Sequence, residues 1–216
     1  MDQTHFYEPA NGHRLAHDPF KAIVAPRPIG WISTVDATGQ VNLAPYSFFN
    51  AVSDKPPILM FAGAASQHSI ANAESTGEFV FNLVSANFAK TMNTTSAVVP
   101  RGVNEFGLAG LQQVQSELVK PPCVAGVPAA IECKVLAVHR LHDLAGCDLK
   151  RNIVVGQAVG IHIDPTMIRD GVFDTAAARP LARCGYRGDY VEVVTLFEMF
   201  RPDKAEADRL LASASA

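Results

Sequence analysis

Fourteen prolines and fifteen glycines cut this 216-residue chain into short apolar runs, and that punctuation limits what it can become. Proline removes a backbone donor and breaks helices and central strands, so long regular elements have little room. What remains is a series of short strands separated by turns, as a barrel or sandwich requires. Ile29–Val35 reads as a strand, Asp36–Gln40 supplies turn chemistry, and Val41–Ala44 begins the return strand of a hairpin. Pro56 and Pro57 introduce a third run, Ile58–Ala62.

From Ser66 the period changes, and Ser66–Thr76 is expected to form a short helix stopped at Gly77. Glu78–Val84 is apolar on both faces and suits a buried central strand. Ser85 is placed to cap a second short helix running to Met92. Later strands are expected over Ala129–His139, Asn152–Asp164 and Tyr190–Phe197, with a final helix over Lys204–Leu211. In the second of these, Val159, Ile161 and Ile163 form the apolar face and Gly160, His162 and Asp164 the wetter one. Six or more strands with few, short helices predict a mainly β fold, a β-barrel carrying short helices. No repeat or linker divides the chain.

At 23.1 kDa, 48% hydrophobic and 18% charged, the composition is that of an ordinary globular domain. A net charge of -3 leaves no broad basic surface, so nucleic acid is not an expected partner, whereas a small anion needs only one or two placed cations. No run approaches the roughly 20 apolar residues that span a membrane, and the start of the chain lacks the pattern of a secretory signal. Cys123, Cys133, Cys147 and Cys184 are too widely spaced for a metal or disulfide framework, so reduced thiols and a cytoplasmic location are expected.

Three segments could carry chemistry. In Pro26-Arg27-Pro28 the prolines hold Arg27 on a stiff, extended stretch, where a guanidinium loses little entropy on gripping an anion. The alternative is a solvated arginine on a barrel edge. In Ala44-Pro45-Tyr46-Ser47-Phe48-Phe49-Asn50, Pro45 is expected to end regular pairing. The phenylalanines would then wall a slot for a flat heterocycle, while Ser47 and Asn50 direct hydrogen bonds. An aromatic corner whose polar groups satisfy one another is the equally open alternative. Ser66, His68 and Ser69 lie at a helix start, where free N–H groups favour an anion, though simple capping would also place serines there.

His139 and His142 lie three apart on an expected strand and would face opposite sides, so they do not suggest a metal site. Rossmann, Walker and nucleophile-elbow motifs are missing from the sequence.

In order along the chain, several tracts resemble the flavin reductase-like family. They are Pro26–Asp36, Asn42–Val52 with Pro56-Pro57, Thr76–Leu83, Pro100–Phe106 with Gly110-Leu111 and Pro121-Pro122, Asn152–Gly156, and Pro180–Arg183 with Tyr190. The likeness covers residues 18–192, giving an N-terminal extension at 1–17, a domain at 18–200 and a tail at 201–216. It implies the FMN-binding split barrel, of Greek-key type, with flavin mononucleotide (FMN) at a homodimer interface. By that likeness Trp31, Ser33, Thr34 and the Ala44–Asn50 segment line the ring and ribityl chain, and Arg27 with Ser66, His68 and Ser69 forms the phosphate side. His68 stands where many relatives carry a lysine or other basic residue, so a weaker or more pH-dependent phosphate grip is expected.

The resemblance further implies an NAD(P)H-dependent flavin reductase, with flavin and nicotinamide nucleotides as ligands and a monooxygenase as a candidate partner. A flavoredoxin-like electron carrier without nicotinamide activity is the alternative, and a barrel that binds no flavin a third. The flavin itself performs the hydride step, so no acid–base pair is required and no catalytic residue is assigned.

Overall fold

The computed structural model describes residues 4–214. Seven strands form one antiparallel sheet: β1 (Gly30–Val35), β2 (Val41–Tyr46), β3 (Phe49–Asp54), β4 (Pro57–Ala64), β5 (Glu78–Leu83), β6 (Ala129–His142) and β7 (Asp148–Ile163). Their order across the sheet is β2-β1-β5-β6-β7-β4-β3. The strands at its two ends, β2 and β3, are consecutive in the chain and joined only by Ser47 and Phe48. Three Cα steps of about 3.8 Å keep Tyr46 and Phe49 within roughly 11 Å of each other, so the sheet must curl until its edges meet. This makes a barrel with one seam.

The expected hairpin forms, with Val35 opposite Val41 and Asp36 accepting from the amides of Thr38 and Gln40 in the turn. Pro45 does not end the pairing, which continues to Tyr46 opposite Gly30. The reason is the position of β2 at the sheet edge. The Leu43 N–H already points away from β1, to Glu105, and two residues on Pro45 presents its missing N–H to that same open side.

Inside the barrel, Ile32, Phe61, Phe79, Cys133 and Val154 are wholly buried. Phe49 stacks on Phe81 at 4.6 Å, and Tyr46 meets Phe61 across the seam at 5.1 Å. Gly30 is required here, because a Cβ at that position would lie 2.5 Å from the Phe49 ring. Helix α1 (His68–Thr76) contributes Ile70 and Ala73 to this core and ends where Gly77 adopts a left-handed conformation, its N–H donating to Ala73.

The other face of β1 and β5 is covered by residues 86–127, which include a short 3-10 turn at Ala86–Phe88, a helix at Ala89–Thr94 and another at Glu105–Leu108. Trp31, Leu43, Val80, Met92, Phe106 and Val124 form this second core. Every residue of β1 is therefore buried, and β5 is buried on both sides as its sequence suggested. Ser85 stands before the 3-10 turn without a side-chain capping bond.

Two later expectations change. The apolar face of β7 is the more exposed one, with Ile161 57% and Ile163 38% accessible, because residues 116–120 fold over the Gly160 and His162 side. The last strand is short, Tyr190–Glu192, and pairs with Leu181–Arg183, which in turn pairs with Arg27–Pro28. The C-terminal helix spans Lys204–Ala214. The four cysteines are free, and no helix among the described residues is long and apolar enough to cross a membrane.

Candidate functional site

The Ala44–Asn50 rim runs along the seam and divides two cavities. The first, about 300 Å³, lies between β2, the start of α1 and the loop Thr95–Val99. Ala44, Pro45, Tyr46, Ser66, His68 and Ser69 all line it. Because α1 has Gln67 at its N-cap position with no side-chain capping bond, the amides of His68, Ser69 and Ile70 have no helical acceptor. The Gln67 side chain is instead spent on the Ala64 N–H at 2.8 Å. Positive helix-end potential thus remains at the cavity wall.

A polar chain fixes the floor. Buried Glu105 accepts from the Leu43 N–H at 3.0 Å. The Asn42 amide, oriented to satisfy both neighbours, donates to Glu105 at 3.2 Å and accepts from Ser69 Oγ at 2.8 Å. Burial pushes the Tyr46 phenol up to about 12, against a hydrogen bond with Ser69 and helped by the Glu105 charge. Tyr46 therefore stays neutral at ordinary pH and serves as a positioned hydroxyl.

The second cavity, about 650 Å³, is more apolar, with Phe20, Val24, Phe48, Met60 and Ile153 among its walls. Arg27, Ser47, Phe48, Phe49 and Asn50 line it. Phe48 is 40% exposed, whereas the Phe49 ring turns into the barrel. Asn50 turns its side-chain oxygen to the next amide, that of Ala51, at 2.9 Å.

The structure thus brings six of the expected residues to one cavity and five to the other. Arg27 and the Ser66–Ser69 turn, expected together on a phosphate side, line separate cavities. Trp31, Ser33 and Thr34 line neither. The Trp31 Nε1 donates to Thr95 Oγ1 at 2.9 Å, Ser33 Oγ to the Pro122 carbonyl, and Thr34 Oγ1 accepts from Asn72 at 3.2 Å. Asn42, Glu105 and the Thr95–Val99 wall were not singled out as site residues from the sequence. The hydroxyl run Thr94-Thr95-Ser96 was a signal available for the last of these. Asp148 and Lys150 form an exposed pair at 2.7 Å, while neighbouring Arg151 lines the second cavity. No group of three or more potential metal ligands exists among the described residues.

The family known by its flavin reductase like domain matches residues 24–181, and the chain belongs to it. An uncharacterized protein of Deinococcus radiodurans is 33% identical over 213 residues, covering 93% of this chain and 91% of its own. Among solved structures, nitrilotriacetate monooxygenase component B from Bacillus cereus superposes with a TM-score of 0.81 at 24% identity, covering 92% of this chain and all of its own. Flavoredoxin of Desulfovibrio vulgaris superposes with a TM-score of 0.70 at 18% identity, covering 85% of this chain and 94% of its own. The seamed barrel is the split barrel, and the protein is a flavin-related oxidoreductase.

Proposed function

We propose that this protein binds FMN across the seam and uses it to take hydride from NADH or NADPH, as a flavin reductase. The observation that carries the reading is the uncapped start of α1, with Ser66 beside it, in a cavity next to an aromatic rim. That donor set suits a phosphate monoester: three amides, the Ser66 hydroxyl and the His68 imidazole, with the Ser96 hydroxyl donating to the Asn93 carbonyl and Glu105 occupied by its own donors. The rim offers the flat apolar wall, Phe48, and the directed polar groups Ser47 and Asn50 for a ring.

When bound, FMN supplies the hydride chemistry. The chain's part is positional. The start of α1 holds the phosphate end, Glu105 and Asn42 fix the strand that the ribityl chain would cross, and the second cavity leaves room beside Phe48 for a second ring. No side chain is assigned to move a proton.

The test is a titration of the purified protein with FMN, followed by flavin fluorescence, and then an absorption spectrum before and after NADH or NADPH. We expect binding, bleaching of the flavin by one of the nucleotides, and roughly tenfold weaker FMN binding in His68→Ala, the loss of about one charge-assisted hydrogen bond. Failure of wild-type protein to bind FMN would remove the reading. Bound flavin that neither nucleotide bleaches would favour the second reading, an electron carrier, which the flavoredoxin likeness supports. A monooxygenase partner is part of the first reading, in line with the likeness to a monooxygenase component B.

A homodimer belongs to the same reading. Leu196, Phe197, Met199 and Phe200 lie on a segment without regular structure and are between 60% and 84% exposed, an apolar stretch that a second copy would cover. Sedimentation equilibrium is expected to give twice the 23.1 kDa chain mass, and a shift towards monomer in Phe197→Ser/Phe200→Ser.

A further inference from the structure

A third cavity, about 510 Å³, opens beside the second and is lined by Lys21, Arg27, Arg183 and Arg187 together with His17, Tyr186 and one carboxylate, Asp18. Among the described residues none of the four cations has a carboxylate within ion-pair distance, although five other ion pairs occur in the fold. The nearby acids each accept from a backbone amide and pair with none of these cations: Asp18 accepts from Phe20 at 2.9 Å and Asp189 from Tyr186 at 2.7 Å.

The strand register sharpens the point. Arg27 and Arg183 are direct partners in the antiparallel ladder between Arg27–Pro28 and Leu181–Arg183. Directly opposite residues project from the same face, and like charges so placed repel. Arg27 is only 7% exposed, and its Nε is the single buried side-chain nitrogen or oxygen without a partner among the described residues. Its Nη1 holds the carbonyls of Lys21 and Val24, which fixes the guanidinium in place. Arg183 is likewise held, lying 4.6 Å over the Tyr190 ring. Two guanidinium groups held on paired strands and lining one cavity, with a lysine and a third arginine beside them, form a receptor for an anion of more than one negative charge.

Lys21 and Arg27 line the apolar second cavity as well, so the two spaces share a wall. We propose that the basic cavity binds the pyrophosphate of a dinucleotide, one of whose bases reaches the Phe48 chamber. The anion site stands on its own residues; that its ligand is a dinucleotide rests on the flavin reading above. It lies apart from the start of α1, so the chain holds two phosphate sites with different chemistries, amides and a hydroxyl at one and guanidinium groups at the other.

The experiment is calorimetric titration of the full chain with inorganic pyrophosphate at fixed ionic strength, in wild type, Arg183→Gln and Arg187→Gln. Arg187 makes no hydrogen bond or ion pair within the described residues, so its variant keeps the test independent of folding. Binding is expected in wild type and at least tenfold weaker in each variant, with FMN affinity unchanged in Arg187→Gln. Wild-type protein that binds FMN but not pyrophosphate would overturn the proposal, as would unchanged pyrophosphate affinity in both variants. Protein that binds pyrophosphate but not FMN would sink the flavin reading and support the anion site. Displacement of pyrophosphate by NADH or NADPH identifies a nicotinamide dinucleotide as the ligand, and displacement by FAD alone a flavin dinucleotide. Displacement by none of the three overturns the dinucleotide assignment.

Discussion

Glu132→Ala is expected to destabilise the protein by about 3–5 kcal/mol, the range for breaking one side of a buried, hydrogen-bonded charge. Glu132 is wholly buried on the outer face of β6, where its carboxylate accepts from the amides of Glu117, Leu118 and Val119 and from His162 Nε2. Truncation leaves three amides without acceptors and frees the segment that covers β7. His162→Ala removes one half-exposed partner and is expected to cost only about 1 kcal/mol. Urea unfolding of both variants checks the pair, and equal small losses would show that the carboxylate does not organise that segment.

Acid should act through the same group. Burial alone would raise the Glu132 carboxyl, but the hydrogen bonds from His162 and the two amides of Glu117 and Leu118 outweigh it and hold the pKa below the ordinary 4.5. A lowered folded pKa means the stabilisation is complete above the unfolded value and is lost as pH falls through the folded one. Wild type is therefore expected to lose stability below about pH 4.5 more steeply than Glu132→Ala.

Trp31→Ala carries the second large expected loss, again about 3–5 kcal/mol, from a void the size of an indole in a packed core. Trp31 is inaccessible, packs against Phe88 at 5.9 Å and donates to Thr95, whose neighbours wall the first cavity. As the sole tryptophan it also reports directly: emission should be that of a buried indole when folded and shift red on unfolding. Trp31→Phe keeps most of the volume and loses the hydrogen bond, so a loss of about 1–2 kcal/mol is expected, together with weaker FMN binding through a loosened Thr95 loop. Unchanged stability in Trp31→Ala would contradict the second core.

How far the sequence could be read depended on how local the deciding contacts are. The β1–β2 hairpin was legible because Asp36 and Gly39 carry the turn within five residues. Helix α1 was legible because Gly77 stops it. The burial of Trp31 and Ser33 was not, since it depends on residues 86–127 returning over β1, and that of Thr34 depends on α1 lying across the opposite face, where Asn72 meets it; nothing near β1 announces either cover. The exposed face of β7 was misjudged for a similar reason: the 116–120 segment, tied to Glu132, covers the side carrying Gly160 and His162. Pro45 was assigned to a central strand's rules while standing on an edge. The candidate site was legible as residues but not as two cavities, because Ala44–Asn50 crosses the seam, with Ala44, Pro45 and Tyr46 lining the space on one side and Ser47, Phe48, Phe49 and Asn50 that on the other.

That seam has a mechanical consequence. β2 and β3 share a covalent link of two residues but no ladder, so it is the line along which the cylinder yields first to thermal breathing. Both cavities border the Tyr46–Phe49 crossing. Admission of a guest and fluctuation of the wall would then be a single motion, faster in amide exchange than the five-strand remainder and damped once something spans the gap.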